Sequence, residues 1–327
     1  MVFLFRDKSI INILFVLLLC LLVHAHGFFI PVPITSNAQT GYFGLLLNNY
    51  IQPRLGASGF WIYIIIVLIQ AIRLNFLLAD QKMYPQSSYT VAMTYVLLTG
   101  LFPAWSVISP ALLANFFLIW IYIKLTRLYN NPAPKTLLFN IGLLVAIMVL
   151  CYHPTALVVP VVLFALGIMR AFKLQEWFTL IMGMALPYYF LASGLYLTNQ
   201  LPLLSNWLPD WEMPTKLTPL KKAEWIGLSS FLMSFFIGLF FWQQFNSRLV
   251  IQMRKNWSSL LVMTIILSLS PFAFHHAGFE AAFLCLVSVV PFAAAIFSFP
   301  RRLIFPNLIF WLLLAAVMYN NWQIVKF

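Results

Sequence analysis

The sequence predicts an all-α, polytopic integral membrane protein, and composition is the main reason. Of the 327 residues, 63% are apolar, 17% are aromatic and only 8% carry a charge. A soluble globular chain is about half apolar and about a quarter charged, so this chain has too few polar residues to cover a water-exposed surface. We therefore expect one transmembrane domain over residues 1–327, surrounded by membrane lipid.

The net charge of +12 does not indicate a nucleic-acid partner. A nucleic-acid site needs Lys and Arg gathered on one face or along one helix. Here the 19 Lys and Arg residues are spread thinly between apolar segments. In a membrane protein such residues orient the chain.

Apolar runs of the length that crosses a bilayer recur along the whole chain. A spanning helix needs about 20 mainly apolar residues. We predict eleven, at about 10–30, 60–78, 89–103, 109–126, 136–152, 155–169, 175–197, 226–243, 258–274, 277–299 and 303–320. Only the turn at His153 and Pro154 separates the fifth run from the sixth, so these two are alternatively one re-entrant hairpin.

The first run allows a second interpretation. The motif Val23-His24-Ala25 has the shape of a signal-peptide cleavage site. Cleavage there would leave ten spans and would not change the side on which any later loop lies. Apolar residues resume at Phe28, which favours an uncleaved helix.

Lys and Arg fall on alternate loops between the runs. Cytoplasmic loops carry the excess of positive residues, so we place the N-terminus in the cytoplasm and the C-terminus outside a bacterial inner membrane. The 14 residues of the cytoplasmic set are Arg6, Lys8, Arg73, Lys82, Lys124, Arg127, Lys135, Arg170, Lys173, Arg248, Arg254, Lys255, Arg301 and Arg302. The 5 of the external set are Arg54, Lys216, Lys221, Lys222 and Lys326.

Two long loops, at about 31–59 and 198–225, are both external in this topology. Loops longer than about 12–15 residues are usually functional or disordered, and these carry aromatic residues that disordered segments lack. In the first loop, Tyr42 to Leu55 places apolar residues at helical spacing, which predicts an interfacial helix. We expect both loops to fold onto the outer membrane surface.

Two further features concern the helices themselves. Prolines inside the runs should kink them and can open a cavity. These prolines are Pro160, Pro187, Pro271 and Pro291. On the cytoplasmic side, Arg170, Lys173, Glu176 and Trp177 are typical of an anchor at the membrane interface, with contact to acidic headgroups as an addition.

The candidate site lies on the external side, where all five histidines meet loops. Its members are His24 and His26 at the end of the first run, Arg54 before the second, His153 in the fifth-to-sixth turn, and His275, His276 and Glu280 around the ninth-to-tenth turn. Glu280 is an acid just inside an apolar run, and such a carboxylate usually has a partner or a function. If a helix begins by His276, then His276 and Glu280 share a face.

Several chemistries fit these residue types. Arg54 and the histidines would bind the phosphate of a lipid carrier, whereas His with Glu280 would act as acid and base. A zinc site from His276, Glu280 and another His is a weaker alternative, and we predict no metal. The alternative without a function is that these histidines lie at the membrane interface because their side chains favour headgroup depth. The sequence identifies no cofactor.

Common catalytic signatures are absent from the sequence. It contains no phosphate-binding P-loop, no dinucleotide-binding glycine motif, no H-E-x-x-H and no G-x-S-x-G. The three cysteines form no C-x-x-C pair. A pump usually needs acids deep in the membrane, and none of the seven Asp and Glu residues lies deep within a run, so proton-driven transport is weakened.

The middle of the chain, over roughly Ser109 to Leu197, resembles a polytopic membrane-protein family of unknown function from Bacteroidetes. The resemblance rests on apolar and turn motifs across about a quarter of the chain. These are Leu112-Leu113-Ala114-Asn115-Phe116-Phe117, Phe139-Asn140-Ile141-Gly142-Leu143-Leu144, Tyr152-His153-Pro154, Arg170-Ala171-Phe172-Lys173-Leu174-Gln175-Glu176-Trp177 and Leu186-Pro187-Tyr188.

The order of the elements is also similar to that of the GT-C glycosyltransferases, which transfer sugars from polyprenyl-phosphate carriers on the outer face. Those enzymes carry a catalytic acid in the first external loop, and this chain has no Asp or Glu from 8 to 79. That departure puts catalysis in doubt. A surviving transferase would need Asp210, Glu212 or Glu280 as its base.

Three functions therefore remain. The first is a GT-C-like protein that binds a polyprenyl-phosphate-linked or phospholipid substrate, with a lipid-linked sugar as its partner. The second is a non-catalytic subunit of a cell-envelope assembly, whose external loops dock envelope proteins. The third is a transporter.

Overall fold

The computed structural model describes residues 1–7, 9, 11–29, 32–34, 41–51, 58–209, 211 and 221–322. These residues are predominantly helical, and they contain no β-strand. Eleven of the described helices have ten or more residues. They are α1 (Ile11–Val23), α2 (Gly59–Asp80), α3 (Thr90–Thr99), α4 (Pro110–Thr126), α5 (Lys135–Cys151), α6 (Val158–Met169), α7 (Leu174–Leu197), α8 (Lys222–Asn246), α9 (Ile251–Leu267), α10 (Leu286–Ser298) and α11 (Ile304–Trp322).

Each of the eleven predicted runs coincides with one of these helices, so the helical fold class is confirmed. The described residues contain six helical stretches that are long and apolar enough to cross a membrane, as expected of a multi-pass membrane protein. These are Gly59–Asp80, Leu174–Leu197, Lys222–Asn246, Ile251–Ala273, Gly278–Ser298 and Ile304–Asn321. The other five are shorter apolar helices of 10–17 residues.

Local sequence explains where several helices begin and end. The Ser109 hydroxyl accepts a hydrogen bond from the Leu112 amide at 3.2 Å, and Pro110 occupies the first turn of α4. Such a cap satisfies an amide that has no partner inside the helix. At the other end of a helix, the Arg6 guanidinium donates to the carbonyls of Phe297 and Pro300, at 2.8 and 2.7 Å, and so caps α10.

Helix α10 lies at the centre of the bundle. Every residue from Leu286 to Phe297 is buried, and α10 packs against α3, α4, α8 and α9. Helix α7 is the opposite case, because only Glu176, Leu180 and Gly183 are buried along it. Among the eleven described helices its close partner is α5, and the two helices approach through Gly142 and Gly183. Small residues permit such close backbone contact between apolar helices.

Contacts between loops show that the loops lie at two opposite ends of the bundle. At one end, Arg6 contacts Phe297, and the Lys255 ammonium donates to the Met169 carbonyl at 3.1 Å. We call this the basic end, and its loops lie near residues 1–7, 80–90, 127–135, 170–174, 246–256 and 298–304. The opposite end carries His24, His26, His153 and Glu280, and we call it the histidine end. This grouping is the one that the alternating charges predict.

The predicted interfacial helix is present in part. Residues Tyr42–Leu46 form an α-helix that continues as a π-helix over Leu47–Ile51. The Phe43 ring lies 6.1 Å from that of Phe117 in α4, and the segment also packs on α5. Residues 52–57 lie outside the described part of the chain.

The start of the tenth predicted run decides whether His276 and Glu280 share a helix face. The sequence allowed this arrangement only if a regular helix begins by His276. The structure instead has a 3₁₀ segment over His275–Cys285, broken at Gly278, where φ is +54° and ψ is −159°. Because this backbone is not helical, His276 and Glu280 do not share a helix face.

The interpretation of Arg170 and Glu176 as an anchor at the lipid interface is also wrong. The two side chains form a bidentate ion pair with bonds of 2.8 and 3.0 Å. The remaining guanidinium nitrogen donates to the carbonyls of Leu128 and Asn131, at 3.0 and 2.8 Å. Arg170 therefore joins the α4–α5 and α6–α7 loops inside the protein, because every nitrogen of its guanidinium has a protein partner.

Candidate functional site

The predicted site residues fall into three groups. Arg54, Asp210 and Glu212 lie outside the described residues, so their roles stay predictions. His275 and His276 begin the 3₁₀ segment, and the structure describes their backbone alone. His24, His26, His153 and Glu280 are described, and all four lie at the histidine end.

His24 is fixed by contacts inside the protein. It follows the last residue of α1, and its side chain is 1% exposed. Its Nδ1 atom lies 3.1 Å from the Cys20 carbonyl oxygen, and its Nε2 atom lies 3.1 Å from the Tyr63 hydroxyl. The Tyr63 hydroxyl donates its one hydrogen to the Trp105 carbonyl, and its oxygen faces Nε2, while the Cys20 carbonyl oxygen faces Nδ1. Both nitrogens thus lie beside protein partners.

Burial keeps this imidazole neutral. Loss of contact with water lowers the pKa of His24 to about 3, and it also lowers the pKa of the neighbouring His26. The two rings are 6.4 Å apart. Neutral imidazoles do not supply the positive charge that a phosphate needs, so His24 acts here as a structural connection between α1 and α2. Its predicted contact with a lipid phosphate stays a prediction.

The Tyr63→Phe substitution is expected to lower the free energy of unfolding by about 1–3 kcal/mol, because it removes a buried hydroxyl that donates to the Trp105 carbonyl and contacts Nε2 of His24. The Tyr63 oxygen also lies 3.1 Å from the Trp105 carbonyl, so one hydroxyl serves two segments. Thermal unfolding in nanodiscs measures the change. Tyr189→Phe is the matched control, because Tyr189 is exposed on α7. Equal effects of the two substitutions would exclude the role assigned to His24 and Tyr63.

A second polar group forms where α5 ends. His153 begins a 3₁₀ turn over His153–Leu157, and this turn packs against the His275–Cys285 segment. Tyr152 is buried beside it. Burial first, and the Glu280 carboxylate second, raise the pKa of the Tyr152 hydroxyl above its ordinary value. Tyr152 is therefore a neutral hydroxyl in the electrostatic field of Glu280.

Trp105 lies between these two groups. Its carbonyl faces Tyr63, and its ring is stacked on that of Phe279 with 6.0 Å between centroids. Phe279 directly precedes Glu280 in the sequence. The histidines near α1 and the Tyr152–Glu280 pair are thus neighbours at one end of the bundle, separated by a layer of aromatic rings.

An apolar groove of about 260 Å³ opens beside the second group. Its floor is α5, through Val145 and Val149, and its walls are Val159 of α6 and Met184 of α7. Trp211 closes it at the histidine end, where its ring lies 4.8 Å from that of Phe274. The lining is almost wholly apolar. The groove exists because α6 packs on α9 while α7 packs on α5, which leaves α6 and α7 apart.

Sequence reasoning missed Tyr63, Trp105, Tyr152 and this groove. Each depends on contacts between residues far apart in the chain, such as the 39 positions between His24 and Tyr63. Pro160 gave a partial signal, because a proline inside a run predicts a cavity and this one lines the groove. The described side chains contain no cluster of three or more His, Cys, Asp or Glu that could hold a metal ion.

Comparison with known proteins adds no assignment. No protein family, curated protein or solved structure matches this chain.

Proposed function

We propose that this membrane protein binds a phospholipid or a polyprenyl-phosphate-linked lipid at its histidine end, with one hydrocarbon chain in the groove between α6 and α7. The groove is the observation that supports this proposal. Sites for whole small molecules measure about 300–1,000 Å³, so about 260 Å³ suits part of a ligand, such as a length of one chain. Its lining is almost wholly apolar, which suits a hydrocarbon chain because such a chain has no hydrogen-bonding groups.

The membrane supplies the occupant. The groove is bounded by α7, whose side chains are mostly exposed and apolar, so lipid chains are the molecules that reach it. Trp211 stands at its outer end, and tryptophan favours headgroup depth. A chain in the groove would place its headgroup by Trp211, near Tyr152 and Glu280.

Orientation in the membrane is part of the proposal. The basic end faces the cytoplasm and the histidine end faces outward, because positive residues concentrate on cytoplasmic loops. All eleven helices cross a bacterial inner membrane in this arrangement. The groove supports lipid binding, whereas a sugar transfer of the GT-C kind would further require a base from Glu280, Asp210 or Glu212.

Photo-crosslinking tests lipid binding directly. The full chain is placed in nanodiscs with a phosphatidylglycerol that carries a diazirine in the middle of one acyl chain, and crosslinked residues are mapped by mass spectrometry. We expect crosslinks to concentrate on Val149, Val159 and Met184. Val159→Trp should remove them by filling the groove, because protein interiors leave no room for both.

Gly167→Trp is the matched control. It adds the same side chain to the same helix, at a position where a Cβ meets no atom within 4 Å. Groove crosslinks should persist in this variant. If crosslinks in the unmodified protein simply follow exposed surface along α7 and α8, without enrichment in the groove, the proposal is wrong.

A further inference from the structure

A second cavity lies at the basic end, away from the groove. It measures about 270 Å³ and sits under the loop that joins α2 to α3. Its lining is more polar than that of the groove, and it includes Asn75, Lys82, Ser87, Ser88 and the first-turn residue Val91. None of these residues belongs to the proposed lipid site.

Asn75 has an unused donor in this cavity. Its side chain is 4% exposed, and its Oδ1 atom accepts a hydrogen bond from the Ala92 amide at 3.3 Å. That bond assigns the oxygen, so the NH₂ group is the other half of the amide. This NH₂ group donates to no atom in the described part of the chain. Because Asn75 lines the cavity, this NH₂ group can donate to a ligand or to water there.

Positive charge lies at the same cavity. Lys82 is exposed at its rim, and Arg170–Glu176 is the one ion pair found in the described ranges, so the Lys82 ammonium has no carboxylate partner there. Helix α3 begins at Thr90, and the amides of a helix's first turn carry partial positive charge. The acid nearest in sequence, Asp80, does not line the cavity.

Ser88 supplies a hydroxyl group to the cavity wall, and this hydroxyl belongs to a chain of three. The Ser88 and Thr90 hydroxyl oxygens are 2.8 Å apart, and those of Thr90 and Ser298 are 2.7 Å apart. The two hydrogen bonds use two of the three hydroxyl hydrogens, so the third hydrogen is not used within this chain of hydroxyls. If Ser298 donates to Thr90 and Thr90 to Ser88, the Ser88 hydrogen remains available to the cavity.

We propose that this cavity binds a phosphate group, with the Asn75 amide and the Ser88 hydroxyl as neutral donors and Lys82 as the cation. A phosphate offers several strong acceptor oxygens, which is what converging donors and one ammonium require. The group belongs either to a free phosphate compound or to the headgroup of a phospholipid from the adjoining leaflet. This inference does not depend on lipid binding in the groove.

Calorimetric titration with inorganic phosphate tests the first source. The full chain in phosphatidylcholine nanodiscs should bind phosphate, and Lys82→Asn should weaken binding about tenfold, as loss of one charged partner does. Asparagine tolerates the left-handed backbone at position 82, where φ is +52°. Asn75→Asp should abolish binding, because it keeps an acceptor for Ala92 but replaces the donor with a negative charge.

Lys135→Gln is the control for general charge effects. Lys135 is exposed at the same end and does not line the cavity. Its neutralisation should change phosphate affinity by less than about twofold. Unchanged melting temperatures in all three variants would show that the fold is intact, and lipid retention in the groove should be the same throughout.

Binding of a phospholipid headgroup, the second possible source of the phosphate, is tested in a separate experiment. If inorganic phosphate does not bind, the purified protein is exchanged into phosphatidylcholine vesicles containing one tenth phosphatidic acid, and retained lipid is counted by native mass spectrometry. Retention that falls in Lys82→Asn and Asn75→Asp, but not in Lys135→Gln, supports a headgroup site. Failure of both arms, or equal losses in Lys135→Gln, would overturn the proposal.

Discussion

The Glu176→Gln substitution is expected to lower the free energy of unfolding by about 3 kcal/mol, at the low end for breaking a buried ion pair. The side chains of Arg170 and Glu176 are only 13% and 6% exposed, so water cannot solvate the guanidinium in place of the lost carboxylate. Glutamine keeps the shape of Glu176 but leaves the guanidinium uncompensated. The loss should be large because the same Arg170 also holds Leu128 and Asn131.

Urea unfolding in mixed micelles, followed by tryptophan fluorescence, measures this change. Glu224→Gln is the control, because Glu224 is only half-buried, has no ion-pair partner among the described residues, and accepts one hydrogen bond, from the Lys221 amide at 2.8 Å, in the first turn of α8. It should cost at most about 1 kcal/mol. Similar losses in the two variants would mean that the ion pair does not stabilise the fold.

Alanine substitutions at two glycines of α7 should change stability in opposite directions. A Cβ at Gly183 would overlap the carbonyl oxygen of Phe139 in α5, whereas a Cβ at Gly194 meets no atom within 4 Å. Gly183→Ala should therefore destabilise the protein by about 1–3 kcal/mol, because the two helices must separate. Gly194→Ala should stabilise it by about 0.4–1 kcal/mol through the unfolded chain.

The same unfolding assay compares the pair, and native mass spectrometry reports whether α7 still packs well enough to retain lipid. Both residues are on one helix and the substitution is the same, so differences in helix propensity cancel. Stabilisation in both variants would show that α5 and α7 do not make the close contact at Gly142 and Gly183.

Most of the helices could be predicted because their signal is local. Charged residues bound many of the long apolar runs, and Ser109-Pro110 marks the start of α4. The predicted bounds of α4 and α7 differ from the observed ones by one residue. The shared helix face of His276 and Glu280, which the sequence allowed as one possibility, is absent for a local reason as well. Gly278 adopts a positive φ that interrupts the helix between them.

The site was less predictable than the helices. Histidines at segment ends indicated which end of the bundle to inspect, but the partner of each depends on how helices pack. Tyr63 reaches His24, and Arg170 turns inward to Glu176, for reasons that lie in neighbouring helices. The unused donor of Asn75 appears only once Ala92 is known to take its oxygen.

The position of α10 has a consequence for biogenesis. This helix is enclosed by α3, α4, α8 and α9, and two of those are separated from it by more than a hundred residues of chain. A ribosome delivers α3 and α4 to the bilayer long before residues 286–298 exist. Helices α3 and α4 are therefore inserted before their packing partner α10 is synthesised. They must stay loosely associated, or bound to an insertion factor, until α10 completes the assembly.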